Sequence, residues 1–355
     1  MSKKKSLLQR LAEGIVIGDG SYIFTLERRG YVLAGAWTPE VVLENPDAVR
    51  QLHKEYLWAG ADVLQTSTFF AQDGTLQSKF RGVDIAYTCK ELNDAACSLV
   101  HEVAGEQTLI CGSICETVIY KDINSKEAVQ KEFRKQCQVF KENNVDFLLA
   151  EFFNSIIEME WAIEIMKETG LTACASMKIC TLGDIDKVTP QECAVRMCRA
   201  GADVVGVNCS FGPDIALKTL AMMKEGLENA GLKPYLMSQP LGYHTKELEN
   251  NRIGYTELPE FPFALETRAL NRIEAHQYAR KAYELGVRYI GGCCGFEPHL
   301  IRAIAEELAP ERGFRPPGKE KSSVWGSGLA KSHVESQNKR ASKDYWLKIQ
   351  PSTGK

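Results

Sequence analysis

No run of about 20 consecutive apolar residues, the length a membrane-crossing helix needs, occurs in this 355-residue chain. Membrane association is therefore not expected. Charge of one sign is not in excess either. The chain has 43 Lys and Arg against 46 Asp and Glu, a formal net charge of −3, which argues against a general nucleic-acid binder. The N-terminus, MSKKKSLLQRLAEG, is basic but lacks the apolar core of a secretory signal, so the expected compartment is the cytoplasm. No G-x-G-x-x-G turn follows a first strand, so the fingerprint of a dinucleotide-binding sheet is missing. Histidine is sparse, six in all. His53 reads as a structural helix residue, and His299 as a solvated residue in a helix's first turn.

Cysteine is present in number. Twelve cysteines in a cytoplasmic chain should be reduced thiols. Cys89, Cys97, Cys137, Cys193 and Cys198 lie in helix-like runs and read as small buried hydrophobes.

A local pattern recurs along the chain. WAGADVLQTST, NNVDFLLAEFF, RAGADVVGVNCS and ELGVRYIGGCC each read as a helix end, a Gly or Asn turn and a buried strand. Further strands are expected in 15–20, 108–113, 172–178 and 234–239. Eight apolar strands separated by helix-length segments predict an α/β fold of the (β/α)8 TIM-barrel type. Helices are expected to start at Pro46, Pro213 and Pro298. An open, doubly wound sheet is the alternative. The chain divides into a basic N-terminal segment (1–10), the barrel (11–309) and a C-terminal tail (310–355). That tail, rich in Pro, Gly, Ser and Lys, is expected to be partly extended or disordered, with Trp325, Tyr345 and Trp346 as its anchors.

In such a barrel the C-terminal strand ends face the active site. Those ends carry Asp19, Gln65 and Thr66, Ser113, Glu151, Cys209, Ser238 and Gln239, and the adjacent pair Cys293 and Cys294. A disulfide between neighbouring cysteines is strained, so oxidation is a poor explanation for the pair. Three thiolates converging from two strands are good ligands for one zinc ion, and three protein ligands leave one position open, as catalytic sites do. The glycines around the pair are expected to let both cysteines turn toward one ion. A thiol binding at the open position would lose its proton and stay nucleophilic. Asp19 and Glu151 could hold a substrate ammonium group, which points to a thiol amino acid. Loop aromatics could cage a methylated onium cation. The candidates are Trp37, Phe69, Phe70, Phe152, Phe153, Phe261 and Phe263.

With these residues in place, the chain resembles the betaine-using branch of the homocysteine S-methyltransferase family. The likeness runs from IVIGDGSYIFTLERRGYVLAGAWTPE to RYIGGCCGFEPHLIRAIAEELAPERGF, and it is most specific at GVNC and GGCCG. It implies a zinc-dependent transfer of a methyl group from betaine to L-homocysteine, giving methionine and dimethylglycine. S-Methylmethionine is the alternative donor, and a non-catalytic zinc-binding barrel a further one. By resemblance Cys209, Cys293 and Cys294 hold one Zn2+ per chain. Asp19 and Glu151 meet homocysteine alongside Gly20, Gln65 and Thr66, and Trp37 lies in the donor-pocket motif. Betaine-using members usually read AEYF and QTFTFYAS, where this chain has AEFF and QTSTFFAQ, so Phe152 and Phe70 replace two tyrosines. The family also implies a homo-oligomer built with a C-terminal arm, and here the chain ends soon after SKDYW.

Overall fold

The computed structural model describes residues 4–33, 38–77, 86–120, 125–316, 334–340, 342–346 and 348. Eight parallel strands form one sheet in the order β1-β8-β7-β6-β5-β4-β3-β2. They are β1 (Val16–Ile17), β2 (Val63–Gln65), β3 (Leu109–Cys115), β4 (Phe147–Phe153), β5 (Thr172–Met177), β6 (Val204–Asn208), β7 (Tyr235–Gln239) and β8 (Tyr289–Ile290). Seven fall inside an expected segment, and β3 runs two residues past the expected 108–113. Eight helices follow them in turn: α1 (Pro46–Ala59), α2 (Cys89–Val103), α3 (Lys126–Glu142), α4 (Ile156–Glu168), α5 (Pro190–Ala200), α6 (Pro213–Asn229), α7 (Arg272–Leu285) and α8 (Pro298–Glu307). This is the (β/α)8 barrel.

The helices begin where the sequence places a proline or a capping side chain. Pro46, Pro190, Pro213 and Pro298 occupy first-turn positions, where a missing N–H costs nothing. Thr88 and Asn271 close capping boxes at α2 and α7. Helix α1 buries Val49, Leu52 and Tyr56 on one face, and α8 buries Leu300, Ile301 and Ile304. Cys89, Cys97, Cys137, Cys193 and Cys198 do sit on helices, and all but Cys198 are fully buried.

The repeated aspartates before the strands have a structural cause. Asp62, Asp146 and Asp203 immediately precede β2, β4 and β6. Each donates its N–H to a neighbouring strand residue (Ile17, Ile110 and Ala173) at 2.8 Å. Each also accepts the N–H of that same residue at its carboxylate, at 2.8, 2.6 and 2.9 Å. The side chain thus extends the ladder by one rung at the bottom of the barrel. Between β1 and β2 this Asp62 pairing is joined at the other end by Asp19, whose Oδ2 accepts the Gln65 N–H at 2.7 Å.

Inside the barrel, Val63, Leu109, Phe147, Leu149, Val204, Met237 and Tyr289 form a closed apolar plug, with Leu7 and Leu11 of the N-terminal helix Leu7–Glu13 packed beneath it. A larger apolar layer lies between strands and helices. The plug leaves only the C-terminal end of the barrel open for chemistry. Past α8, the turn Ala309–Arg312 returns to the barrel floor, where Arg312 pairs with Asp62 at 2.7 Å. Residues 335–340 and 343–346 form two short helices. Trp325 lies outside the described residues. Among the described residues, no helix is long and apolar enough to cross a membrane.

Candidate active site

Cys209, Cys293 and Cys294 come together at the barrel mouth, their three Sγ atoms all within 4.8 Å of one another. Cys209 follows β6 and takes a left-handed backbone, φ 52°, as does Ser210 at 53°. Cys293 and Cys294 lie in the turn after β8. Burial opposes ionisation of Cys209, yet hydrogen bonds from Cys293 and Cys294 bring its thiol well below the ordinary range. The other two are raised, first because each donates to Cys209. Tetrahedral zinc with Zn–S bonds of ~2.3 Å needs sulfurs only ~3.8 Å apart, and the cluster fits such an ion.

The glycines before the pair serve a different purpose from the expected one. Gly291 and Gly292 are absent from the left-handed region, which Gly295 alone of the motif enters at φ +84°. A methyl group on Gly292 would overlap the Phe296 ring. Close approach, not backbone freedom, fixes that glycine.

Beside the thiols stands Glu151, at the end of β4. Its Oε1 accepts from Gln65 Nε2 at 2.9 Å and from the Ser113 hydroxyl at 2.5 Å, and its Oε2 accepts from Asn208 Nδ2 at 3.2 Å. Gln239 in turn donates to Gln65 Oε1 at 2.9 Å. Burial pushes Glu151 up to about 7, with the Ser113 bond opposing it and the Asp19 charge adding to it. Asp19 is wholly buried and is also pushed up to about 7 by burial, against the Gln65 N–H and the Tyr22 hydroxyl. Neither acid has an ion-pair partner among the described residues. Among the described residues, Asp19 Oδ1 has no hydrogen-bond partner.

One cavity is lined by Gly20, Tyr22, Gln65, Thr66, Phe69, Glu151, Phe152, Tyr255 and all three cysteines. The expected residues Gly20, Gln65, Thr66, Phe69, Glu151 and Phe152 therefore share one wall system with the thiols. Others do not. Phe70 is 3% exposed and packs behind Phe69, ring centroids 4.5 Å apart. Its left-handed backbone, φ 57°, puts it on the inner side, with its N–H on Cys115 Sγ at 3.1 Å. Ser238 faces the helix layer, where Tyr278 of α7 donates to it at 2.9 Å. Phe153 is a core residue against Phe133. Phe261 and Phe263 are exposed outside the cavity, the latter at 78%. Trp37 lies outside the described residues. His53 is buried and His299 exposed, both on helices.

Four residues that the sequence reading missed belong here. Asn208, inside the GVNC motif, donates to Glu151 and accepts the Phe152 N–H at 2.9 Å. Tyr22 and Tyr255 bring phenols to the cavity wall. Lys178, directly after β5, places its ammonium 3.8 Å from the centre of the Phe152 ring and pairs with Glu116 at 2.7 Å. Asn208 and Lys178 were legible as strand-end polar residues. The tyrosines lie in loops and carried no spacing signal.

The homocysteine S-methyltransferase family model matches residues 16–308. The chain belongs to the homocysteine S-methyltransferase family. It is 52% identical to betaine–homocysteine S-methyltransferase 1 of Xenopus tropicalis, over 99% of this chain and 87% of that one. It is 51% identical to S-methylmethionine–homocysteine S-methyltransferase of Pongo abelii, over 99% and 94%. In fold it is similar to the metallated homocysteine methyltransferase MmuM of Escherichia coli (TM-score 0.62, 21% identity, 82% of this chain and 95% of that one). The segments GVNC and GGCCG bring the three thiols to one point.

Proposed function

We propose that the protein transfers a methyl group from betaine to the thiol of L-homocysteine, giving methionine and dimethylglycine, at a zinc site held by Cys209, Cys293 and Cys294. The observation that carries this reading is the three-thiol cluster set beside two buried acids that lack a cation. When bound, zinc supplies a seat on which a substrate thiol loses its proton at neutral pH. Glu151 and Asp19, both pushed up to about 7, ionise fully only beside a positive charge. The ammonium of homocysteine is that charge: it meets Glu151 at the cavity wall, with Asp19 acting from behind that wall, and it orients the sulfur toward the cysteines. Gln65, Ser113 and Asn208 hold Glu151 in one rotamer, so the positioning is done before substrate arrives.

The donor enters along the apolar wall of Phe69 and Phe152. Its onium methyl carbon is attacked by the homocysteine sulfur. The S–C bond forms as the N–C bond breaks, and the electron pair leaves on nitrogen. Lys178 covers one face of Phe152, which closes that face to an onium group. S-Methylmethionine is the competing donor: one close relative carries that name, and Phe152 on the cavity wall stands where the resemblance leads one to expect a tyrosine in betaine-using members.

Replacing Cys294 with alanine tests the metal reading. Zinc content, read by elemental analysis, and methionine formation should both be lost, with circular dichroism unchanged. A metal-free, active Cys294→Ala protein contradicts the reading.

A further inference from the structure

Tyr22 stands where the loop after β1 enters the short helix Ile23–Arg28, and its ring lines the cavity. Its hydroxyl lies 2.7 Å from Asp19 Oδ2 and 2.9 Å from His53 Nδ1 of α1. The ring is wedged against His53 and Tyr56, centroids 5.1 and 5.4 Å away. Neither the resemblance nor the comparisons assign this residue a role.

Proton counting fixes the direction of the chain. A phenol has one proton, and an ionised carboxylate only accepts, so Tyr22 donates to Asp19. His53 Nδ1 must then carry the proton that meets the Tyr22 oxygen. His53 is neutral, since burial pushes it down to about 3. It is therefore the Nδ1–H tautomer, and Nε2 bears a lone pair. Among the described residues that Nε2 is buried with no hydrogen-bond partner. At the far end, Tyr22 and the Gln65 N–H both load the same oxygen, Oδ2, and Oδ1 is left open. Asp19 itself is wholly buried and does not line the cavity, so Tyr22 is the part of this chain that a ligand meets.

We propose that Tyr22, oriented by His53, is a positioning residue that holds the Asp19 charge in place and thereby sets the preference for a thiol bearing an ammonium group. The inference rests on the homocysteine reading of the same site. Without the hydroxyl, Asp19 keeps one donor of two, and its carboxylate is free to turn and to take up a proton. The effect should fall on the amino group of the substrate and leave its sulfur chemistry alone.

The test compares homocysteine with 4-mercaptobutyrate, which is homocysteine without its amino group, by calorimetric binding to the zinc-loaded protein. The unchanged protein should prefer homocysteine. Tyr22→Phe should cut that preference roughly tenfold, the size of one hydrogen bond to a charged group, by weakening homocysteine alone. The double variant Asp19→Asn, Tyr22→Phe should bind homocysteine no more weakly than Asp19→Asn by itself. Equal weakening of both thiols, or a preference that survives Tyr22→Phe, overturns the role of Tyr22. No preference in the unchanged protein overturns the ammonium reading on which it rests.

Discussion

Six non-glycine residues among those described have positive φ, and four of them cluster at this end of the barrel: Phe70 in the loop after β2, Phe152 next to the end of β4, and Cys209 and Ser210 just past β6. Such a conformation costs about 1 kcal/mol or more for each, and it persists only where the surroundings enforce it. At Cys209 the surroundings are the Gln239 carbonyl, which accepts its N–H at 2.9 Å, and the other two thiols. Glu151 carries the sharpest residue-scale prediction. Glu151→Gln should weaken homocysteine binding roughly 30-fold or more, because it removes the charge from a buried charge pair. In the unchanged protein the affinity for homocysteine, relative to 4-mercaptobutyrate, should fall as pH drops below about 7. The acids then take up protons that the ammonium must displace. Both thiols share the same sulfur ionisation, so their ratio isolates the acids, and a ratio flat from pH 6 to 8 contradicts the assignment. At this scale the sequence was most legible where chemistry and strand position coincide, as at Cys209, Cys293, Cys294 and Glu151. It misled at Phe70 and Ser238, because a residue past a strand end can turn to either side and only the backbone angles decide which. Tyr22 stayed hidden because its partners, Asp19 and His53, come from separate elements.

Between the elements, side chains complete what the backbone leaves open. The Asp62, Asp146 and Asp203 carboxylates each accept one N–H from a neighbouring strand. Asp62 also holds Arg312, whose side chain is 3% exposed. Asp62→Ala should therefore destabilise the protein by about 3 kcal/mol, since it leaves a buried guanidinium unpaired and a strand N–H without its acceptor. Denaturant unfolding reads this directly, and a loss under 1 kcal/mol contradicts the account. The strand pattern was easy to see in the sequence because four of the buried strands repeat one local grammar, a helix end, a Gly or Asn turn and an apolar run. The reason for its aspartates was not, since the rung they add is a contact between segments some 30 to 45 residues apart.

Over the whole molecule, the buried acids make stability depend on pH in a direction opposite to that of a salt-bridged carboxylate. Glu151 and Asp19 have folded values of about 7, above the ordinary carboxylate range. The folded state therefore holds protons that the unfolded chain has released, and stability from these groups is lost as pH rises from about 4 through about 7. Thermal unfolding of the metal-free, substrate-free protein should fall by a few degrees over that window, and Glu151→Gln should flatten the trend. The barrel places both acids and the three thiols at one end only, because the plug of Phe147, Tyr289 and their neighbours fills the other. Methyl transfer itself is read by methionine formation from homocysteine by the zinc-loaded protein, with betaine and S-methylmethionine supplied separately. Betaine should give methionine, with dimethylglycine in equal amount. Turnover with S-methylmethionine alone would contradict the donor, and no methionine from either, with zinc in place, would contradict the reaction.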